Sequence, residues 1–187
     1  MNEQRRLLVV SGPSGAGKDT VVKYLMEAHP EIEISVSATT RAMRPGRRRA
    51  NYYYMTNAQF EEKLARGEIL EHVNYCGKYY GTPKSEVDRR IAAGTTVVLV
   101  IEVVGAANIK RMYPESTLVF ILPPSMEELA ARLRGRGTED EAAVQKRLAR
   151  AEEELREKDA YDFAIVNDDA RRCADELYEI LRARQSE

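Results

Sequence analysis

The stretch Gly12-Pro13-Ser14-Gly15-Ala16-Gly17-Lys18-Asp19-Thr20 follows a short apolar run, Leu7-Leu8-Val9-Val10, and leads into a helical pattern. Strand, glycine loop and helix in that order are the context in which G-x-x-x-x-G-K holds nucleotide phosphates. The glycines let backbone N–H groups turn toward phosphate oxygens. The helix N-terminus adds partial positive charge, and Lys18 brings a full one. The residue after the lysine is usually a Ser or Thr whose hydroxyl meets Mg²⁺. Here it is Asp19, with Thr20 next in line. The chain therefore announces an α/β fold with a triphosphate cradle and departs from the pattern at its metal shell.

Strand and helix alternate at both ends of the chain. The first helix carries Val22, Leu25 and Met26 on one face and stops at His29-Pro30, where His29 reads as a cap rather than a ligand. After Gly94 the run Thr96–Ile101 has buried-strand form, followed by a helix near Ala106–Met112 and a strand Thr117–Leu122. Ser125-x-x-Glu128 caps the next helix, and Thr138-x-x-Glu141 caps another with Val144, Leu148, Ala151 and Leu155 at helical spacing. A strand Phe163–Val166 and a helix with Ala174, Leu177, Tyr178 and Leu181 inward complete the pattern. Alternation of this kind implies parallel pairing through right-handed crossovers. Between these ends, from about Ser35 to Thr82, the chain is polar and rich in arginine and tyrosine. There Thr56-Asn57-Ala58-Gln59 reads as a capping box opening a short helix with Phe60 and Leu64 inward, closed by Gly67. Alternation along Tyr52-Tyr53-Tyr54 puts one face of that run inward.

The 187 residues suffice for one domain with inserted lobes. A net charge of −1 gives no global pull toward nucleic acid or anionic lipid, so neither is expected as a partner. No apolar run is long enough to span a membrane, and only four apolar residues follow the basic N-terminus, too few for a signal peptide. Cys76 and Cys173 stand alone without metal spacing, as reduced thiols of a cytoplasmic protein do.

Several segments in order carry a family resemblance: the glycine loop; Ser35-Val36-Ser37-Ala38-Thr39-Thr40-Arg41-Ala42-Met43-Arg44-Pro45-Gly46; Glu71; Tyr79-Tyr80-Gly81-Thr82-Pro83; Arg132-Leu133-Arg134-Gly135-Arg136-Gly137-Thr138; and Val166-Asn167-Asp168-Asp169. From about residue 6 to 182 the chain resembles guanylate kinases, the P-loop class that phosphorylates GMP with ATP. The resemblance implies a three-layer P-loop core with a parallel sheet (1–34 and 95–187), an inserted GMP-binding lobe at about 35–90 and a basic lid at about 134–148. It implies ATP and GMP or dGMP as substrates, Mg²⁺ as cofactor, and a monomer or homodimer. Gly12 to Thr20, Arg132, Arg136 and Asn167 would hold ATP. Ser37, Arg41, Arg44, Tyr52, Glu71, Tyr80, Gly81, Thr82 and Glu102 would hold GMP. Lys18, Arg41, Arg136 and Arg147 would stabilise the transferring phosphoryl group.

These assignments make chemical sense. Guanine offers N1–H and an exocyclic amine as adjacent donors, which one carboxylate, Glu71, can accept together. The hydroxyls of Ser37 and Thr82 suit its O6. Adenine would leave these groups unpaired, the sharp kind of discrimination. Arginine forks and phenol hydroxyls match phosphate oxygens. Alternative roles for the arginines are a solvated loop for Arg41 and Arg44, and i,i+4 pairing for Arg136 and Arg147, of the kind expected for Glu152–Arg156 and Glu154–Lys158.

The chain departs from the family at Asp19, at the basic run Arg47-Arg48-Arg49, at Val100 (an acid in the family), at Glu102 (Asp in the family) and at Val104 (Gln in the family). The run Arg47–Arg49 reads as a solvated turn. Asp19, Thr20 and Glu102 would supply hard oxygen ligands for Mg²⁺, directly or through water; the alternative is that Asp19 repels the β-phosphate and weakens the donor site. Two competing functions are a ribose-bisphosphate phosphokinase and a non-catalytic guanylate-kinase-like module that binds phosphopeptides.

Overall fold

Leu7, Leu8, Val9 and Val10 are fully buried, and a strand buried on both faces needs helices above and below it. A computed structural model, describing residues 3–43, 52–75, 77–135 and 140–186, places this strand at the centre of a five-stranded parallel sheet. β1 (Leu7–Ser11) lies between β7 (Thr96–Val100) and β8 (Thr117–Leu122); β2 (Ile32–Ile34) and β9 (Phe163–Val166) form the edges, in the order β2-β7-β1-β8-β9. Alternate residues of β1 feed opposite layers. Leu8 and Val10 pack with Val22 and Leu25 of α1 (Lys18–Ala28) and Leu177 of α7 (Ala170–Ser186). Leu7 and Val9 pack with Val87 and Ile91 of α3 (Lys84–Ala92) and Ala106 and Ile109 of α4 (Val103–Met112). Truncating any of the buried leucines to alanine costs about 2–5 kcal/mol. The fold class is the three-layer α/β core expected from the sequence.

The polar middle of the chain builds a second sheet. β3 (Ser37–Thr39), β4 (Tyr52–Tyr54), β5 (Ile69–Tyr75) and β6 (Lys78–Pro83) run in the order β4-β3-β6-β5. β3 and β4 are parallel; the other pairs are antiparallel. α2 (Asn57–Ala65) closes one face by placing Phe60 against Ala38 and Ile69. Its capping box forms as expected: Gln59 N–H donates to Thr56 Oγ1 at 3.2 Å, and Thr56 N–H to Gln59 Oε1 at 2.9 Å. On β4 none of the three tyrosines is fully buried; Tyr53 is exposed, whereas Tyr52 and Tyr54 are half-buried on the opposite face.

α3, for which the sequence reading contains no helix, joins the two sheets. Glu86, 4% exposed, accepts from Tyr53 Oη of β4 at 2.9 Å and from Arg90 Nε at 2.5 Å, while Arg90 also pairs with Glu33 of β2. Burial pushes the Glu86 carboxyl up, but bonds from Arg89, Tyr53 and Arg90 outweigh it and hold the group below the usual carboxylate value.

α5 (Met126–Gly135) and α6 (Glu141–Leu155) pack through Leu129, Leu133, Val144 and Ala151. Ser125 caps the first as expected, accepting from Glu128 N–H at 3.1 Å. The second is capped by Asp140, which accepts from Ala143 N–H at 2.8 Å. Thr138, the residue expected there, lies outside the described residues, as do Arg44, Arg136 and the run Arg47–Arg49. The expected Glu154–Lys158 pair gives way to Glu154–Arg150, because the helix ends at Leu155. Two further expectations shift at their ends: β7 stops at Val100, and α4 starts at Val103, three residues early. Among the described residues no helix is long and apolar enough to cross a membrane.

Candidate active site

The glycine loop leaves β1 and enters α1 under close backbone constraint. Gly12 has φ +140°, and a Cβ there would lie 2.2 Å from the Ile121 carbonyl oxygen. Gly17, the residue capping α1, has φ +91°, and a Cβ there would lie 2.3 Å from Asn167 Nδ2. Only glycine fits either position. The Asn167 amide is buried and donates to the Ala16 carbonyl at 2.7 Å, so the residue after β9 braces the loop from beneath. Lys18 Nζ folds over the loop and donates to the Gly12 and Pro13 carbonyls at 2.5 and 3.0 Å. Asp19 and Thr20 stand exposed in the first turn of α1.

α5 and α6 bring basic side chains to this loop. Arg147 donates to Ser14 Oγ at 2.8 Å. Arg132 donates to the Asn167 carbonyl at 3.1 Å and to Glu128 at 3.0 Å. Between loop and α6 lies a cleft of about 460 Å³ whose wall includes Gly12, Lys18, Glu102, Lys146, Arg147 and Arg150. That volume is in the range that holds small-molecule ligands. Among the described residues no group of three or more His, Cys, Asp or Glu side chains is arranged to hold a metal ion. Glu102 is instead paired with Arg150 at 2.7 Å.

The small sheet gathers the other expected residues. On β5 and β6, Thr82 Oγ1 donates to Glu71 Oε1 at 2.6 Å. Thr82 is buried, and its hydroxyl here is spent on orienting the carboxylate. Burial raises the Glu71 carboxyl above the usual value; the Thr82 bond opposes this, and the nearby Glu102 charge adds to it. Gly81 leaves room for this strand pair, since a Cβ there would lie 2.6 Å from the Glu71 carbonyl oxygen. Arg41, just beyond β3, has its guanidinium 5.5 Å from the Tyr52 ring centre and 6.0 Å from that of Tyr80. The two rings meet edge to face at 6.1 Å. A hydrogen bond to Tyr54 raises the Arg41 pKa, and its buried Nε has no hydrogen-bond partner among the described residues. Ser37 opens β3, in register with Tyr52.

Four contributors escaped the sequence reading. Thr39 Oγ1 accepts from Arg41 N–H at 3.1 Å and donates to the Tyr79 carbonyl at 2.9 Å, fixing the turn that aims Arg41. Thr40 Oγ1 accepts from Tyr79 N–H at 3.0 Å. Gly105 lets α4 approach Glu71 closely, a Cβ there falling 3.1 Å from Glu71 Oε2. Arg150 enters the cleft three residues beyond Arg147, a helical spacing that the sequence did contain.

A glycine loop flanked by basic side chains, a half-buried carboxylate held by Thr82 and an arginine–tyrosine cluster suit a two-substrate phosphotransferase, and comparison with known proteins agrees. The family model described as Guanylate kinase matches residues 4–184. A guanylate kinase of Trichormus variabilis is 50% identical over 165 residues, covering 88% of this chain and 83% of the relative. One of Gloeobacter violaceus is 52% identical over 164 residues, covering 87% and 80%. The crystal structure of guanylate kinase from Anaplasma phagocytophilum superposes with a TM-score of 0.75 at 37% identity, covering 97% of this chain and 86% of that one. Shikimate kinase from Acinetobacter baumannii, at 14% identity and TM-score 0.50 over 97% and 95% of the two chains, shares the fold alone. With its glycine loop, α5 and α6, and small sheet in these positions, the chain belongs to the guanylate kinase family.

Proposed function

We propose that this protein transfers the γ-phosphoryl group of ATP to GMP, giving ADP and GDP, and so recycles purine nucleotides. The observation that carries the reading is Glu71: a half-buried carboxylate, oriented by Thr82, raised above its usual pKa by desolvation and without an ion-pair partner among the described residues. Such a group is costly to ionise until paired donors arrive, and guanine N1–H and its amine are such donors. Arg41, Arg44, Tyr52 and Tyr80 are assigned to the GMP phosphate, and Ser37 to the guanine O6. The loop from Gly12 to Gly17, Lys18, Arg132, Arg136, Arg147 and Asn167 are assigned to ATP. In this division the inserted segment at about 35–90, which contains the small sheet, is the acceptor lobe, and the segment at about 134–148 is the lid.

The attacking atom is already a phosphate oxygen, so no strong general base is required; positioning, charge neutralisation and water exclusion do the work. Lys18 and Arg147 neutralise the phosphoryl oxygens, and Arg41 holds the acceptor in line. Mg²⁺ adds charge neutralisation at the donor phosphates. It usually needs only one or two carboxylates besides phosphates and water; Asp19 and Thr20, exposed beside Lys18, would supply oxygen donors, whereas the Glu102 carboxylate is paired with Arg150. We place the reaction in the cytoplasm, in keeping with a buried Cys173 thiol that burial pushes up to about 11 and so leaves inert. A coupled assay supplying ATP with GMP, dGMP, AMP or ribose bisphosphate tests the reading. Turnover confined to GMP and dGMP supports it. Turnover on ribose bisphosphate, or none above background, refutes it in favour of a sugar-phosphate kinase or a phosphopeptide-binding module.

A further inference from the structure

Arg150 joins two carboxylates from different layers of the molecule. Its Nε donates to Glu154 Oε1 at 2.9 Å within α6, and its NH2 donates to Glu102 Oε2 at 2.7 Å at the corner between β7 and α4. The separate nitrogens of one guanidinium make both bonds possible, which a compact ammonium matches poorly. Glu102 is the N-cap residue of α4, but its side chain makes no capping bond, so the carboxylate is committed to Arg150. Three residues further, Gly105 packs on the Glu71 side chain. At the other end of the path, α6 carries Arg147 to Ser14 of the glycine loop. Direct contacts therefore run from the loop through α6 and Arg150 to Glu102, and through the first turn of α4 to Glu71.

We propose that Arg150 is a positioning residue that couples the two nucleotide sites, tying the placement of α6 over the glycine loop to the α4 corner against which Glu71 packs. This inference rests on the two-nucleotide reading of the cleft given above. Arg150 and Glu102 are 58% and 52% exposed, so in water the pair contributes little. A contact that is easily made and broken responds to small changes in the placement of α6 against the α4 corner. It strengthens when bound nucleotide excludes water from the cleft. Coupling of this kind is reciprocal: ATP tightens GMP binding by the factor by which GMP tightens ATP binding.

The test is calorimetric titration of GMP into the wild-type protein and into Arg150→Met and Arg150→Lys, each with and without a non-hydrolysable ATP analogue and Mg²⁺. In the wild type the analogue tightens GMP binding by about tenfold, within the usual range of coupling between sites. In Arg150→Met that ratio falls by about threefold or more, while affinity for GMP alone stays within about twofold. Arg150→Lys keeps part of the ratio. The proposal is overturned if the wild type shows no such ratio, if Arg150→Met retains it, or if affinity for GMP alone falls as far as affinity with the analogue. A wild type that takes up no GMP under either condition overturns the two-nucleotide reading itself, a distinct result.

Discussion

In the proposed reaction the glycine loop and the small sheet recognise phosphate-bearing ligands by opposite means. The loop is contiguous in sequence and works through main-chain geometry: Gly12 and Gly17 sit where a single added carbon would strike Ile121 or Asn167. The small sheet draws Ser37, Arg41, Tyr52, Glu71, Tyr80 and Thr82 from four strands and works through side chains. Backbone N–H groups bind any triphosphate, whereas side chains name a base. The loop therefore tolerates little change in shape, and the sheet tolerates little change in chemistry. The two halves should fail differently when altered.

The largest effect is expected at the loop. Gly12→Ala forces a Cβ onto a backbone oxygen at positive φ, costing about 1–3 kcal/mol of stability or more and displacing the cradle. Urea denaturation and steady-state kinetics should show both losses together, with phosphoryl transfer down by a factor of about 10³, or about 4 kcal/mol. In the small sheet the two readouts should separate. Glu71→Gln should cost GMP about 1.5–3 kcal/mol of binding, the worth of a charged hydrogen-bonding partner, while leaving stability unchanged or improved. The sign follows from the raised carboxyl: its stabilising contribution is complete below the unfolded-state pKa and is lost as pH rises through the folded-state value. Ionised Glu71 thus costs stability at neutral pH. The acid limb of GMP binding should accordingly lie above the ordinary carboxylate range and vanish in Glu71→Gln.

Asn167→Ala sharpens the contrast further. It removes the bond that braces Ala16 and leaves a buried carbonyl unpaired, at about 1–3 kcal/mol. The ATP KM should rise while the GMP KM holds, as varying each substrate in turn would reveal. The smallest effect belongs to the joint between the halves. Tyr53→Phe removes one donor to Glu86 and should cost about 0.5–1.5 kcal/mol by thermal or urea unfolding, with base preference intact.

The same contrast decides what could be read in advance. The loop, the central strand and the capped helices announce themselves because glycine spacing, unbroken apolar runs and capping residues are local signals. The small sheet does not. Its strands are as short as three residues, and Tyr52, Tyr54 and Ser37 are polar and only half-buried on the face proposed to take GMP, so apolar alternation is missing there. α3 is hidden for a related reason: its inward face is only Val87, Ile91 and the buried Glu86, in a run otherwise charged. Asp140 and Thr138 are both good capping residues close to one helix start, and local rules do not rank them. Glu102 was legible as an acid at a strand end, but its commitment to Arg150 depends on a helix 48 residues away. The family resemblance found the candidate residues of the small sheet; the contacts that aim them, from Thr39, Thr40 and Gly105, are visible only in three dimensions.

The central claim is that Glu71 makes the acceptor a guanine nucleotide. The most direct measurement is the ratio of kcat/KM for GMP to that for AMP, in the wild type and in Glu71→Gln. The wild type should favour GMP by a factor of about 10³ or more, since a mismatched base leaves buried polar groups unpaired. Glu71→Gln should lower that ratio by at least about tenfold, through loss of GMP turnover and not gain of AMP turnover. A ratio unchanged by the substitution, or a wild type that phosphorylates AMP as readily as GMP, would contradict the account.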